Sequence, residues 1–326
     1  MRPTPRDPAP ESAALHEATR SHSDPAAADL LSTEDFVSLP QAPLAASDAG
    51  RITRAHMGSV DLLLLEYRGA TAVVSEFGAQ VLAYRPADAA REVLFTSSQA
   101  AFDATTAIRG GVPVCWPWFG PAAQPQHGWA RISRWSVETA TVTETAAIVT
   151  LSLDHRDGRA DVTVCLDDGL EIELRHAATP DLDFAPTAAL HAYFRVGDSA
   201  RTTVTGITEE PRDFPPGGID RVYSLSGSAT GDSATGDSAT GNSATGDSGT
   251  GRSAAESTLR IHDPVLARTI HLRTNASDAV VWNPAHGLAD TTAEAHRGFV
   301  CVEPARISRP LSTSDALRMR LTVAQS

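Results

Sequence analysis

Four stretches of this chain alternate apolar and polar residues with a period of two, and that alternation limits the possible folds more than any other feature. In "RWSVETATV" (134–142) Trp135, Val137, Thr139 and Thr141 share one face, and in "AAIVTLSLDH" Val149, Leu151 and Leu153 do the same. "LEIELRHAAT" sets Ile172, Leu174, His176 and Ala178 against Glu171, Glu173 and Arg175, and "LRMRLTV" aligns Leu317, Met319, Leu321 and Val323. Successive side chains of a strand point to opposite faces, whereas a helix would repeat every ~3.6 residues. Turn signals such as "DG" and "PPGG" separate the segments, as antiparallel pairing requires. The one helical candidate is short, at 27–37. The expected fold class is all-β, an antiparallel sandwich or barrel, built as one domain over 46–326.

Composition limits the partners. With 41% hydrophobic residues, five Trp and nine Phe, the 326-residue chain can build a sizeable core. A net charge of −13 argues against non-specific binding to nucleic acid or anionic membrane. Its longest apolar run, "LLLL" at 62–65, is too short to span a bilayer. Three cysteines, Cys115, Cys165 and Cys301, form no close-spaced pair, which fits a reducing cytoplasm and points to neither a disulfide framework nor a metal. The first 45 residues lack the apolar segment of a signal peptide and read as a mobile tail. A pentad repeat (SATGD, SATGD, SATGN, SATGD) begins at Ser228. Its small polar residues cannot offset their own ordering entropy, so 226–257 is expected to be a disordered loop joining two strands of the domain.

Chemistry-capable side chains interrupt the apolar pattern in a few places. "IRGGVPVCWPWFGP" (108–121) holds three prolines, two tryptophans and Arg109. Prolines remove ladder donors, so the segment reads as a stiff, flat-faced wall, with Gly110–Gly111 letting a ligand approach the main chain beside Arg109. "QHGWAR" supplies Gln126, His127 and Arg131; "LHAYF" supplies His191; "FVCVEP" supplies Glu303. Glu303 stands at the end of an apolar strand, where burial raises a carboxyl pKa unless a cation pairs with it. The residues alone leave two readings open for it: a structural partner of an arginine such as Arg306, or a reactive acid. His191, in an equally apolar strand, is either a satisfied core histidine or a reactive one. Cys115 reads as buried filler, and the remaining histidines have no metal-ligand spacing.

Taken in order, "AIRGGVPVCWPWFGP", "QHGWAR", "LHAYF", "DRVY", "VWNP" and "FVCVEP" resemble the glucose-6-phosphate 1-epimerases of the aldose 1-epimerase, or galactose mutarotase-like, superfamily. The similarity runs from about residue 50 to the C-terminus. It implies a large antiparallel β-sandwich and cofactor-independent isomerisation of a small sugar phosphate; a neutral-aldose mutarotase and an idle sugar-phosphate-binding module are its alternatives. By the same resemblance His191 is the catalytic acid and Glu303 the catalytic base. Arg109, Gln126, Arg131 and Asp220 of "DRVY" are substrate contacts, with His127 a further candidate. Two departures stand out: a short segment between His191 and Asp220, and the pentad repeat.

These residue types suit the chemistry. Mutarotation removes the proton from the C1 hydroxyl and protonates the ring oxygen; the ring opens, C1–C2 rotates, and the ring closes on the other face. One acid and one base on opposite sides of the anomeric centre suffice. Arginine presents a planar fork that matches phosphate oxygens.

Overall fold

The computed structural model describes residues 29–156, 158–177, 184–207, 212–225 and 256–325. Among these residues the chain forms twenty strands, one short α-helix and four 3₁₀ turns, and every strand pair within the sheets is antiparallel. The expected all-β antiparallel class is what the chain adopts.

A nine-stranded sheet runs from Arg212–Asp213 through Thr203–Thr205, Ser257–Asp263, Arg268–Thr274, Ala316–Gln325, Leu170–Ala177, Gly158–Leu166 and Ala147–His155 to Ser136–Val142. A six-stranded sheet is ordered Ile219–Ser224, Asp278–Asn283, Phe299–Arg306, Ala188–Leu190, Val114–Cys115, with Tyr193–Arg195 pairing beside it on Phe299–Arg306. The five strands between Ala42 and Arg85 make the third sheet. All three meet in one core. Leu151, Val164, Ile172, Met319 and Ile270 come from the nine-stranded sheet, Val300, Val302, Val281, Leu190 and Val114 from the six-stranded one, and Leu63, Leu65 and Val74 from the third. The six-stranded sheet therefore gives one face to the core. Its other face carries Tyr193, Cys301, Glu303 and Ala189, along with Trp282 and Asp220, which are cross-strand or i+2 neighbours of one another.

Three of the four alternating segments turn the face assigned to them into the core, with Val323 only half-buried; Ala178 lies outside the described residues. The fourth does not. A β-bulge between Val137 and Thr139 shifts the register, pairing Val137 with Leu151 but Ala140 with Val149. An inserted residue reverses the faces beyond it, so Val137, Ala140 and Val142 pack on the core, and Thr139 and Thr141 point outward.

The folded part starts earlier than expected. The helix Thr33–Val37 is held by a capping box between Ser32 and Asp35, and Phe36 is fully buried against the outer face of the five-stranded sheet. Upstream of it, buried Asp29 accepts hydrogen bonds from the Ser98 hydroxyl (3.0 Å) and from the backbone N–H (3.0 Å) and hydroxyl (3.1 Å) of Thr292. Residues 29–45 are thus part of the domain. Residues 1–28 and the pentad repeat lie outside the described residues.

Candidate active site

His191 sits where its segment breaks between two short strands. Ala188–Leu190 and Tyr193–Arg195 both pair with Phe299–Arg306, while the His191 N–H leaves that ladder to donate to the Pro113 carbonyl at 3.0 Å. The imidazole therefore stands on the sheet face away from the core. Tyr193, two residues on, lies parallel to it with ring centroids 4.9 Å apart and planes 9° apart; Trp282 meets its edge at 5.9 Å and His127 at 5.7 Å.

Glu303 lies mid-strand and not at a strand end, because the strand continues through Pro304 to Arg306. Only 1% of it is exposed, and its Oε1 comes within 3.2 Å of His191 Nδ1. This is a close approach without hydrogen-bond alignment, for both His191 Nδ1 and Glu303 Oε2 are buried with no hydrogen-bond partner among the described residues. Arg306, three residues on, faces the other side of the strand and donates to the Ala316 carbonyl. A pairing of Glu303 with Arg306 is thereby excluded.

Burial moves both groups toward their neutral forms. It holds the Glu303 carboxyl well above the usual carboxylate range, with the charge of Asp220 adding to the effect. It also holds His191 well below 6.5, helped by the positive potential of His127, Arg109 and Arg131. His191 and Glu303 stand side by side and not across a gap.

Around this pair the structure gathers most of the expected residues. Arg109 donates from Nε to both carboxylate oxygens of Asp290 (2.9 and 3.1 Å) and from a terminal nitrogen to the Tyr193 hydroxyl (2.7 Å). It thus ties the ring stacked on His191 to the loop that carries Asp290. His127 accepts at Nδ1 from the Gly120 N–H (3.2 Å), which leaves Nε2 as the protonated nitrogen of the neutral ring, and it packs edge-on to Phe119 at 4.9 Å. Arg131 donates to the Gln126 carbonyl (2.8 Å), while its Nε is buried without a hydrogen-bond partner among the described residues. Gln126 itself is exposed. Asp220 is also exposed, on the sheet-edge strand Ile219–Ser224, close enough for its charge to act on Glu303.

The segment 108–121 differs from the expected wall in two respects. Gly110 (φ +108°) and Gly111 (φ +60°) make room for protein and not ligand: a Cβ would lie 2.3 Å from the Phe95 carbonyl at one and 2.1 Å from the Val81 carbonyl at the other. Trp116 faces the core with no exposure, so only Phe119 of the three aromatics packs on the His127 ring beside His191 and Glu303. Sequence reasoning passed over Tyr193, Cys301 and Asp290. The first two had a usable signal, since Tyr193 lies two residues from His191 and Cys301 two residues from Glu303, on the same sheet face; Asp290, in an irregular loop, had none.

Burial, with Arg131 and Arg109 nearby, pulls His127 down to about 4. Its folded value is below the unfolded ~6.5, so the unfolded chain binds more protons between those values and stability falls as pH drops through that window. Melting curves from pH 7 to pH 4 should show this loss, and His127→Asn should shrink it.

The aldose 1-epimerase family profile matches residues 61–316. A Salmonella typhimurium protein named "Putative glucose-6-phosphate 1-epimerase" is 30% identical over 287 residues, covering 83% of this chain and 91% of that relative. An Escherichia coli protein of the same name is 31% identical over 271 residues, with 79% and 87% covered. The crystal structure of a "putative mutarotase" from Salmonella typhimurium superposes with a TM-score of 0.73 at 26% identity, covering 90% of this chain and 99% of the other.

Proposed function

This chain belongs to the aldose 1-epimerase family, and we propose that within it the chain interconverts the α and β anomers of a hexose 6-phosphate, D-glucose 6-phosphate foremost. The observation that carries the reading is the buried His191–Glu303 contact of 3.2 Å, with arginines near enough to bias His191. The pair holds one exchangeable proton in two arrangements of equal net charge. With carboxylate and imidazolium, Glu303 takes the C1 hydroxyl proton as His191 protonates the ring oxygen. When the ring has opened, carboxylic acid and neutral imidazole remain, and the reverse transfers close it on the other face. Desolvation favours the uncharged arrangement in the free site, so substrate polarity must help to stabilise the charged one.

The two arginines differ in what they have to spare. Arg109 is taken up by Asp290 and Tyr193, whereas Arg131 retains donor capacity at Nε that no described residue takes up. Arg131 is accordingly the phosphate partner in this reading, and Arg109 orients Tyr193 against the catalytic ring.

The test compares anomer exchange of glucose and glucose 6-phosphate by NMR. Faster exchange of the phosphate is expected, and faster exchange of glucose would defeat the phosphate assignment. Arg131→Met should lower kcat/KM for the phosphate by about 10–100-fold, the range for a charge-assisted hydrogen bond, with little effect on glucose.

A further inference from the structure

His191, Cys301 and Glu303 each offer a ligand atom, and these atoms all lie within 4.8 Å of one another in a buried setting. No linear spacing reveals this set: Cys301 and Glu303 share a strand face, and the histidine arrives from a different pair of strands. We propose that the three side chains form a binding site for a thiophilic divalent cation, with Zn²⁺ as the test ion, and that the cation occupies the reaction centre in competition with the sugar.

The donor set suits the ion. Zn²⁺ takes thiolate, imidazole and carboxylate at ~2.0–2.3 Å in a tetrahedron, so its ligand atoms lie roughly 3.3–3.8 Å apart. The His191–Glu303 approach of 3.2 Å lies just under that spacing, and small side-chain rotations would open it and bring in a sulfur within 4.8 Å. A second observation points the same way: His191 Nδ1 and Glu303 Oε2 are buried without hydrogen-bond partners among the described residues, although buried polar atoms are ordinarily satisfied. A dication with one thiolate, one carboxylate and one neutral imidazole has no net charge, the combination a desolvated site tolerates best. The thiol and carboxyl each release a proton to solvent as the metal enters. A fourth position stays open to water. With Glu303 and His191 both ligated, neither can exchange a proton with the sugar.

The inhibitory half of the proposal rests on the epimerase reading, while the binding half does not, so the test has two arms. In the first, Co²⁺ is titrated into the full chain. A thiolate-to-cobalt charge-transfer band should saturate at one equivalent, disappear in Cys301→Ser, persist in Cys165→Ser and be displaced by Zn²⁺. If Cys301→Ser fails to fold, Glu303→Gln serves instead and should weaken cobalt binding by about a hundredfold or more. Absence of the band in the parent protein, or its survival in Cys301→Ser, overturns the site. In the second arm, Zn²⁺ should slow anomer exchange, a chelator should restore it, and Cys301→Ser should need about a hundredfold more zinc for the same effect. Unchanged zinc sensitivity in that variant overturns the competition, and a parent protein without exchange activity leaves the cobalt arm to decide the site alone.

Discussion

Glu303→Gln is expected to slow anomer exchange by about 10²–10⁴-fold, the range for loss of one acid–base group, while raising thermal stability at pH 8. The two effects have one cause. A carboxyl with 1% exposure and an unpartnered Oε2 is costly to ionise where it stands, and that cost also makes it a strong base once ionised. Because its folded pKa is raised, its protonated form contributes stability that is fully present below ~4.5 and is lost as pH climbs through the raised value. Glutamine keeps the shape and cannot ionise. The gap between variant and parent should therefore widen with pH, reaching about 1–3 kcal/mol, and melting curves at pH 5 and pH 8 would measure it. A variant that keeps full exchange activity would remove Glu303 from the mechanism.

Gly128→Ala should be the most damaging single methyl in the site. Gly128 has φ +79°, and a Cβ there would lie 2.1 Å from the Trp116 carbonyl oxygen and 2.8 Å from the Pro117 nitrogen, both backbone atoms that cannot swing aside. The left-handed conformation costs roughly 1–2 kcal/mol for an L-residue and the overlap a further ~1–3 kcal/mol. A total of about 3 kcal/mol should appear in denaturant melts. The displaced loop also carries His127 and Arg131, so exchange activity should fall in protein that remains folded. Gly120→Ala is the control: it has a similar φ of +69° but nothing within 4 Å of its Cβ, and it should lose only the conformational part.

The legible parts of this protein were those written in local pattern. Alternation identified four of the nine strands of the large sheet because each has one face in the core, and within those it failed only at Glu138, where an unpaired residue reverses the phase and leaves no compositional trace. Helix Thr33–Val37 was partly visible, but its place in the fold was not. The Ser32–Asp35 capping box is local, but what ties residues 29–37 to the domain is contact with distant partners, Glu92, Ser98 and Thr292. In the site, the type and neighbourhood of His191 and Glu303 singled them out, while their 3.2 Å approach depends on sheet order. The Asp290–Arg109–Tyr193 connection joins three segments through side chains alone, and no single window contains it.

The strand Phe299–Arg306 divides its labour by parity. Val300 and Val302 belong to the shared core, and Cys301 and Glu303 look the other way. A lineage, or an engineer, can therefore retool the odd-numbered positions for another reaction while the even-numbered ones go on anchoring the scaffold. The same parity carries a hazard. Insertion or deletion of one residue upstream in this strand would exchange the two sets, sending a carboxylate into the interior and valines into the sugar's place.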